Sequence, residues 1–117
     1  MFNAPDLRTT FPRAGREKLG GYVFLGRIID KVRAMQAGTE GEYVGYCPMS
    51  LAFLQETAVS QEAFDAQIRS GADDSAIIAF FDRHVTEQRR AASNEHMLSR
   101  FADHLDEQDA EEGVVTT

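Results

Sequence analysis

REKLGGYVFLGRIIDKVRAMQA, residues 16–37, is the stretch whose reading decides the fold. Its apolar residues Tyr22, Leu25, Ile28, Ile29, Val32 and Met35 recur at helical spacing, while Arg16, Arg27 and Asp30 fall on the other side. The pattern predicts one long amphipathic helix over 16–37, the spine against which other segments pack. Gly20 and Gly21 interrupt it, each costing about 1 kcal/mol relative to alanine in a helix interior. Their presence implies a compensating benefit, such as the close approach of another segment or of a ligand.

Upstream, residues 1–15 contain Pro5, Thr9, Thr10, Pro12 and Gly15, which punctuate rather than propagate structure. They read as an irregular arm whose Phe2, Leu7 and Phe11 can dock on the core. Downstream, Gly38 stands where a helix C-cap belongs, and Gly38-Thr39-Glu40-Gly41 reads as a turn. Residues 42–47 are Tyr-rich and end before Pro48, which pushes its predecessor toward extended geometry, so an extended connector or minimal strand is expected.

Three short helices follow, with Ser50 capping 51–57, Ser60 capping 61–70, and Asp73 or Asp74 capping 75–84. Their inward faces are Phe53 and Leu54, then Phe64 and Ile68, then Ile77, Ile78, Phe81 and Val85. A last helix, with Ser93 as one cap, carries Met97, Leu98, Phe101 and Leu105. The fold class is therefore all-α: a long helix packed by several shorter ones. Residues 1–15 form the arm, 16–105 one helical domain, and 106–117 an acidic tail expected to fray.

The 117 residues suffice for one modest core, and their composition is that of a globular domain. No apolar run approaches the roughly 20 residues of a membrane helix. The start lacks the layout of a signal peptide and Cys47 is the only cysteine, so a reducing, cytoplasmic setting is expected. The formal charge of −7 is divided unevenly: residues 1–37 hold seven Lys/Arg against three acids, the remainder five against sixteen. The basic front is expected to pack beside the acidic body or a symmetry mate, or to meet an acidic partner. Nucleic acid is disfavoured by the acidic balance.

The run PRAGREKLGGYVFLGRIIDKVRA (12–34), with AGTEGEY (37–43) and YCPMS (46–50), resembles a family of small bacterial proteins known as domain of unknown function 5069. The likeness covers roughly residues 5–84 and is most specific at Leu19-Gly20-Gly21-Tyr22, Asp30-Lys31 and the 38–43 turn. It implies a helical fold and no particular activity. Family members carry Ser-Pro where this chain has Ala14-Gly15, so the capping box their serine would form is missing here.

Among candidate sites, Arg13, Arg16 and Lys18 ahead of Gly20-Gly21, at the positive end of the long helix, form the strongest constellation. Guanidinium forks, free N–H groups and the helix dipole favour an anion such as phosphate or carboxylate, with Tyr22 and Tyr43 nearby. The competing reading is salt bridging to Glu40, Glu42 or the acidic later helices. Asp30 is expected to pair with Arg27, Arg33 or Tyr43. Cys47 is either a buried structural thiol or, near a helix N-terminus, a reactive one. His84, His96 and His104 lack metal-binding spacing, and no nucleotide loop or cofactor motif is present.

No catalytic residues are assigned. The leading expectation is a binding module for an anionic small molecule or acidic protein surface. The alternatives are a small enzyme using Cys47 or a site around Tyr43, and a purely structural homodimer.

Overall fold

A computed structural model describes residues 4–114, and among these the chain is helical throughout its body, with one two-stranded hairpin. The hairpin pairs β1 (Lys18–Leu19) with β2 (Tyr22–Val23) in antiparallel register, Leu19 opposite Tyr22. Six helices follow: α1 (Leu25–Ala37), α2 (Pro48–Thr57), α3 (Gln61–Arg69), α4 (Asp74–His84), α5 (Glu87–Arg100) and α6 (Ala102–Glu111).

The helical class is as expected, but the long helix over 16–37 is not. Gly20 and Gly21 both adopt positive φ, 60° and 89°, the geometry of a two-residue turn that reverses the chain between short strands. Phe24, also at positive φ, then turns the chain into α1, which is 13 residues long. The glycines thus make a hairpin tip rather than weak points in a helix. Tyr22, Val23 and Phe24 reach the core from the hairpin and its exit, all fully buried.

α1 is a central helix rather than a surface one. Every residue over 25–34 except Asp30 is buried, including Arg27, Lys31 and Arg33. Arg27, expected on the solvent side, is therefore covered, because the arm and the end of the chain pack over it. The core joins Ile28, Ile29 and Val32 of α1 to Phe53, Phe64, Ile77, Phe81, Met97 and Leu105 from the five later helices. Phe81 stands at its centre, in edge contact with Tyr22 and Phe64 and tilted against Phe53.

Of the three short helices, α3 and α4 fall where their caps predict. Ser60 and Asp73 accept from the backbone N–H three residues on, opening α3 and α4. α2 starts earlier than expected, with Pro48 at its first position and Cys47, not Ser50, as N-cap. The expected last helix is two: Thr86 caps α5, and a break at Phe101 leads into α6. α6 carries the acidic run to Glu111 in helical form, with Leu105 and Asp109 buried. In the arm Leu7 is buried whereas Phe11 is 59% exposed. Phe2 and residues 115–117 lie outside the described residues.

Candidate functional site

The basic front is occupied by carboxylates. Arg13 donates from its backbone N–H to Asp30 at 2.8 Å and from its guanidinium to both Asp30 and Asp74. Arg33 reaches the same Asp74 and the Ala72 carbonyl. Burial disfavours the Arg13 charge, but the two carboxylates outweigh it and raise its pKa. Arg16 bridges Asp106 and Asp109 of α6. The arm is therefore stitched to α1, α4 and α6 by the ion pairing that competes with an anion site. Asp30 pairs with Arg13, a partner the sequence did not offer. Lys18 is solvent-exposed on the hairpin.

The structure does not bring the remaining candidates together. Tyr22 points its hydroxyl at Asp82 beneath the Arg90 guanidinium, on the α4–α5 side. Gly20 and Gly21 are the hairpin tip, against Ile78 and Arg90. Tyr43 lies elsewhere, in a cleft of about 700 Å³ between the arm, α1, the 41–47 connector and α6.

Two polar side-chain pairs line this cleft. Arg27 donates to both carboxylate oxygens of Glu112, at 2.8 and 2.7 Å, and Tyr43 donates to the same carboxylate at 3.0 Å. Burial and the adjoining Glu112 push the Tyr43 hydroxyl up to about 12, so it stays protonated. One turn along α1 from Arg27, Lys31 donates from Nζ to Cys47 Sγ at 3.1 Å. Lys31 is 3% exposed and its ammonium lies 5.6 Å from the Phe24 ring centre. Among the described residues it makes no ion pair with a carboxylate; its hydrogen-bond partner is sulfur.

Cys47 is half-buried and opens onto the cleft. As N-cap of α2 it sits at the positive end of that helix, with the Ser50 hydroxyl 3.3 Å from Sγ. Burial pushes the thiol up, but the Lys31 ammonium and the Ser50 donors outweigh it and bring it down to about 7. Burial in turn lowers Lys31 from its usual value, against the opposing pull of Cys47. Two buried polar atoms from cleft-lining residues, Arg27 Nε and Gln108 Oε1, have no hydrogen-bond partner among the described residues. Exposed Phe11 and Val44 stand at the rim. The arrangement sets a thiol drawn down to about 7 beside an apolar mouth, with one donor and one acceptor lacking a partner among the described residues.

The N-cap effect on Cys47 was legible from Pro48, but Lys31 was visible only as half of an Asp30-Lys31 pair. No local motif links it to a cysteine 16 residues on. Glu112, which completes the cleft, lay in the segment expected to fray.

No helix among the described residues is long and apolar enough to cross a membrane. No curated protein matches the chain. A family profile described as "Domain of unknown function (DUF5069)" matches residues 9–115, reaching well past His84 to include α5 and α6, the second of which lines the cleft. The hairpin, the Lys31–Cys47 pair and the Glu112 clasp all fall within that match, and the chain belongs to this family.

Proposed function

We propose that the chain is a small-molecule-binding domain whose ligand occupies the cleft between the arm, α1 and α6 and meets Cys47 as a thiolate. The observation that carries this reading is the 3.1 Å contact between Lys31 Nζ and Cys47 Sγ on the wall of an open cleft. Burial disfavours the Lys31 ammonium, but its contact with sulfur opposes that and draws the Cys47 thiol down. A buried cation without a carboxylate partner is costly unless a thiolate supplies the counter-charge. The ligand is read as a compact molecule with an apolar part against Phe11 and Val44. Its polar groups would meet the polar side chains that line the cleft, and an electrophilic centre would face the sulfur.

This reading moves the binding site from Arg13, Arg16 and Lys18 to the cleft, because Arg13 and Arg16 already hold carboxylates. A thiol enzyme is the second reading, favoured by the same thiolate at a helix N-terminus. Alkylation of Cys47 by iodoacetamide, followed by mass spectrometry across pH, tests the thiolate. The expected midpoint is about 7; one at the ordinary thiol value of about 8.5 would overturn the reading. In a metabolite screen by thermal shift, a true ligand raises Tm in the untreated protein and not in the alkylated one. Turnover of that ligand separates the enzyme from the binding module.

A further inference from the structure

The Lys31–Cys47 pair has a chemistry that neither residue has alone. Cys47 is half-buried and lines the cleft, so a small oxidant has a path to it, whereas Lys31 is 3% exposed, its Nζ near the Phe24 ring with the sulfur as its hydrogen-bond partner. The Ser50 hydroxyl also lies within hydrogen-bond distance of the sulfur, at 3.3 Å. An amine held at 3.1 Å from a sulfur that oxidants can reach is positioned to capture the oxidised sulfur before a second oxidant arrives.

We propose that Cys47 and Lys31 form a reversible, peroxide-driven covalent switch, in which Lys31 traps the oxidised cysteine as a sulfenamide. The idea rests on the thiolate reading of the cleft and adds its regulation. In the first step the Cys47 thiolate attacks one oxygen of hydrogen peroxide. The O–O bond breaks, and the departing hydroxide takes a proton from the Lys31 ammonium, giving sulfenic acid, neutral amine and water. In the second step the amine lone pair attacks the sulfenic sulfur. The S–N bond forms, the S–O bond breaks, and hydroxide leaves with one amine proton as water. Sulfur is oxidised by two electrons and one peroxide is reduced. The bridge ties α1 to the start of α2, removes the nucleophile from the cleft and protects sulfur from irreversible oxidation. A thiol reductant reverses it by attack on sulfur, releasing the amine.

The test is peroxide treatment of the full chain, intact mass and peptide mapping, with and without dithiothreitol and with dimedone as a sulfenic-acid trap. The expected product is a single cross-linked peptide pair containing Lys31 and Cys47, lighter by about 2 Da than the sum of its parts and restored by dithiothreitol. Lys31→Met should give the dimedone adduct and then sulfinic acid at Cys47 instead. Dimedone-trapped or sulfinic Cys47 in the wild-type chain with no cross-link would overturn the switch while leaving the thiolate reading intact. An alkylation midpoint near the ordinary thiol value would remove the thiolate reading itself. The wild-type masses decide the matter even where the variant fails to fold.

Discussion

Arg27 and Glu112 stand 85 residues apart and meet through two parallel hydrogen bonds, with side chains 3% and 5% exposed. This clasp holds the end of the chain against the middle of α1, and Tyr43 closes it from the connector. All three side chains line the cleft.

Removing one partner should therefore cost more than a surface ion pair would. Glu112→Ala leaves a buried guanidinium without its counter-charge, and a loss of about 3–5 kcal/mol in urea denaturation is expected. Replacing both partners, Arg27→Met with Glu112→Leu, should restore much of that stability, because no charge is then stranded. A loss under about 1 kcal/mol for Glu112→Ala would mean that solvent screens the pair.

Acid should loosen the arm through Asp74. Burial pushes its carboxyl up, but the Arg13 and Arg33 guanidiniums outweigh this and hold it below the usual range. Because the folded-state pKa lies below the unfolded one, the stabilisation is fully present above about pH 4 and is lost as pH falls through the depressed value. Asp74→Asn should be less stable at neutral pH, and its urea midpoint should fall less between about pH 5 and pH 3 than that of the wild type. Parallel acid limbs would show that Asp74 is not a source of the acid sensitivity.

The hairpin tip should be intolerant of side chains. Gly20 has φ of 60°, and a Cβ there would come within 2.6 Å of Ile78 Cγ2. Gly20→Ala is expected to cost about 1–3 kcal/mol from left-handed strain alone, with the Ile78 clash adding to it. Chemical denaturation measures the loss, and an unchanged midpoint would contradict the turn geometry.

The same glycines show where sequence reading failed. Leu19-Gly20-Gly21-Tyr22 is a two-glycine hairpin signal, but Tyr22, Leu25 and Ile29 share a helical face by spacing, and the period carried the reading. Both patterns were present; the hairpin wins because β2 also pairs with Asn94, which accepts from Val23 N–H and donates to Gly21 O. That contact spans some 70 residues and no local pattern contains it. Where one side chain decides an element's start, as with Ser60 and Asp73, the boundary was readable. The candidate site divides in the same way. Pro48 announces a helix start beside Cys47, whereas Lys31 and Glu112 reach the cleft only through tertiary packing.

Lys31 sets the reactivity of Cys47 in this architecture, and the consequence is directional. With Lys31→Met the stem still fills its space beside Phe24, but the ammonium that lowers the thiol is gone and burial remains. The alkylation midpoint should then rise from about 7 to above the usual thiol value. Near neutral pH the rate should drop about tenfold, since the loss of thiolate exceeds the gain in nucleophilicity of the more basic sulfur. Ser50→Ala should shift the midpoint in the same direction by less, because the α2 backbone donors remain. A Lys31→Met profile overlaying the wild type would show that the helix terminus alone holds the thiolate, and the ammonium would lose its role in the cleft.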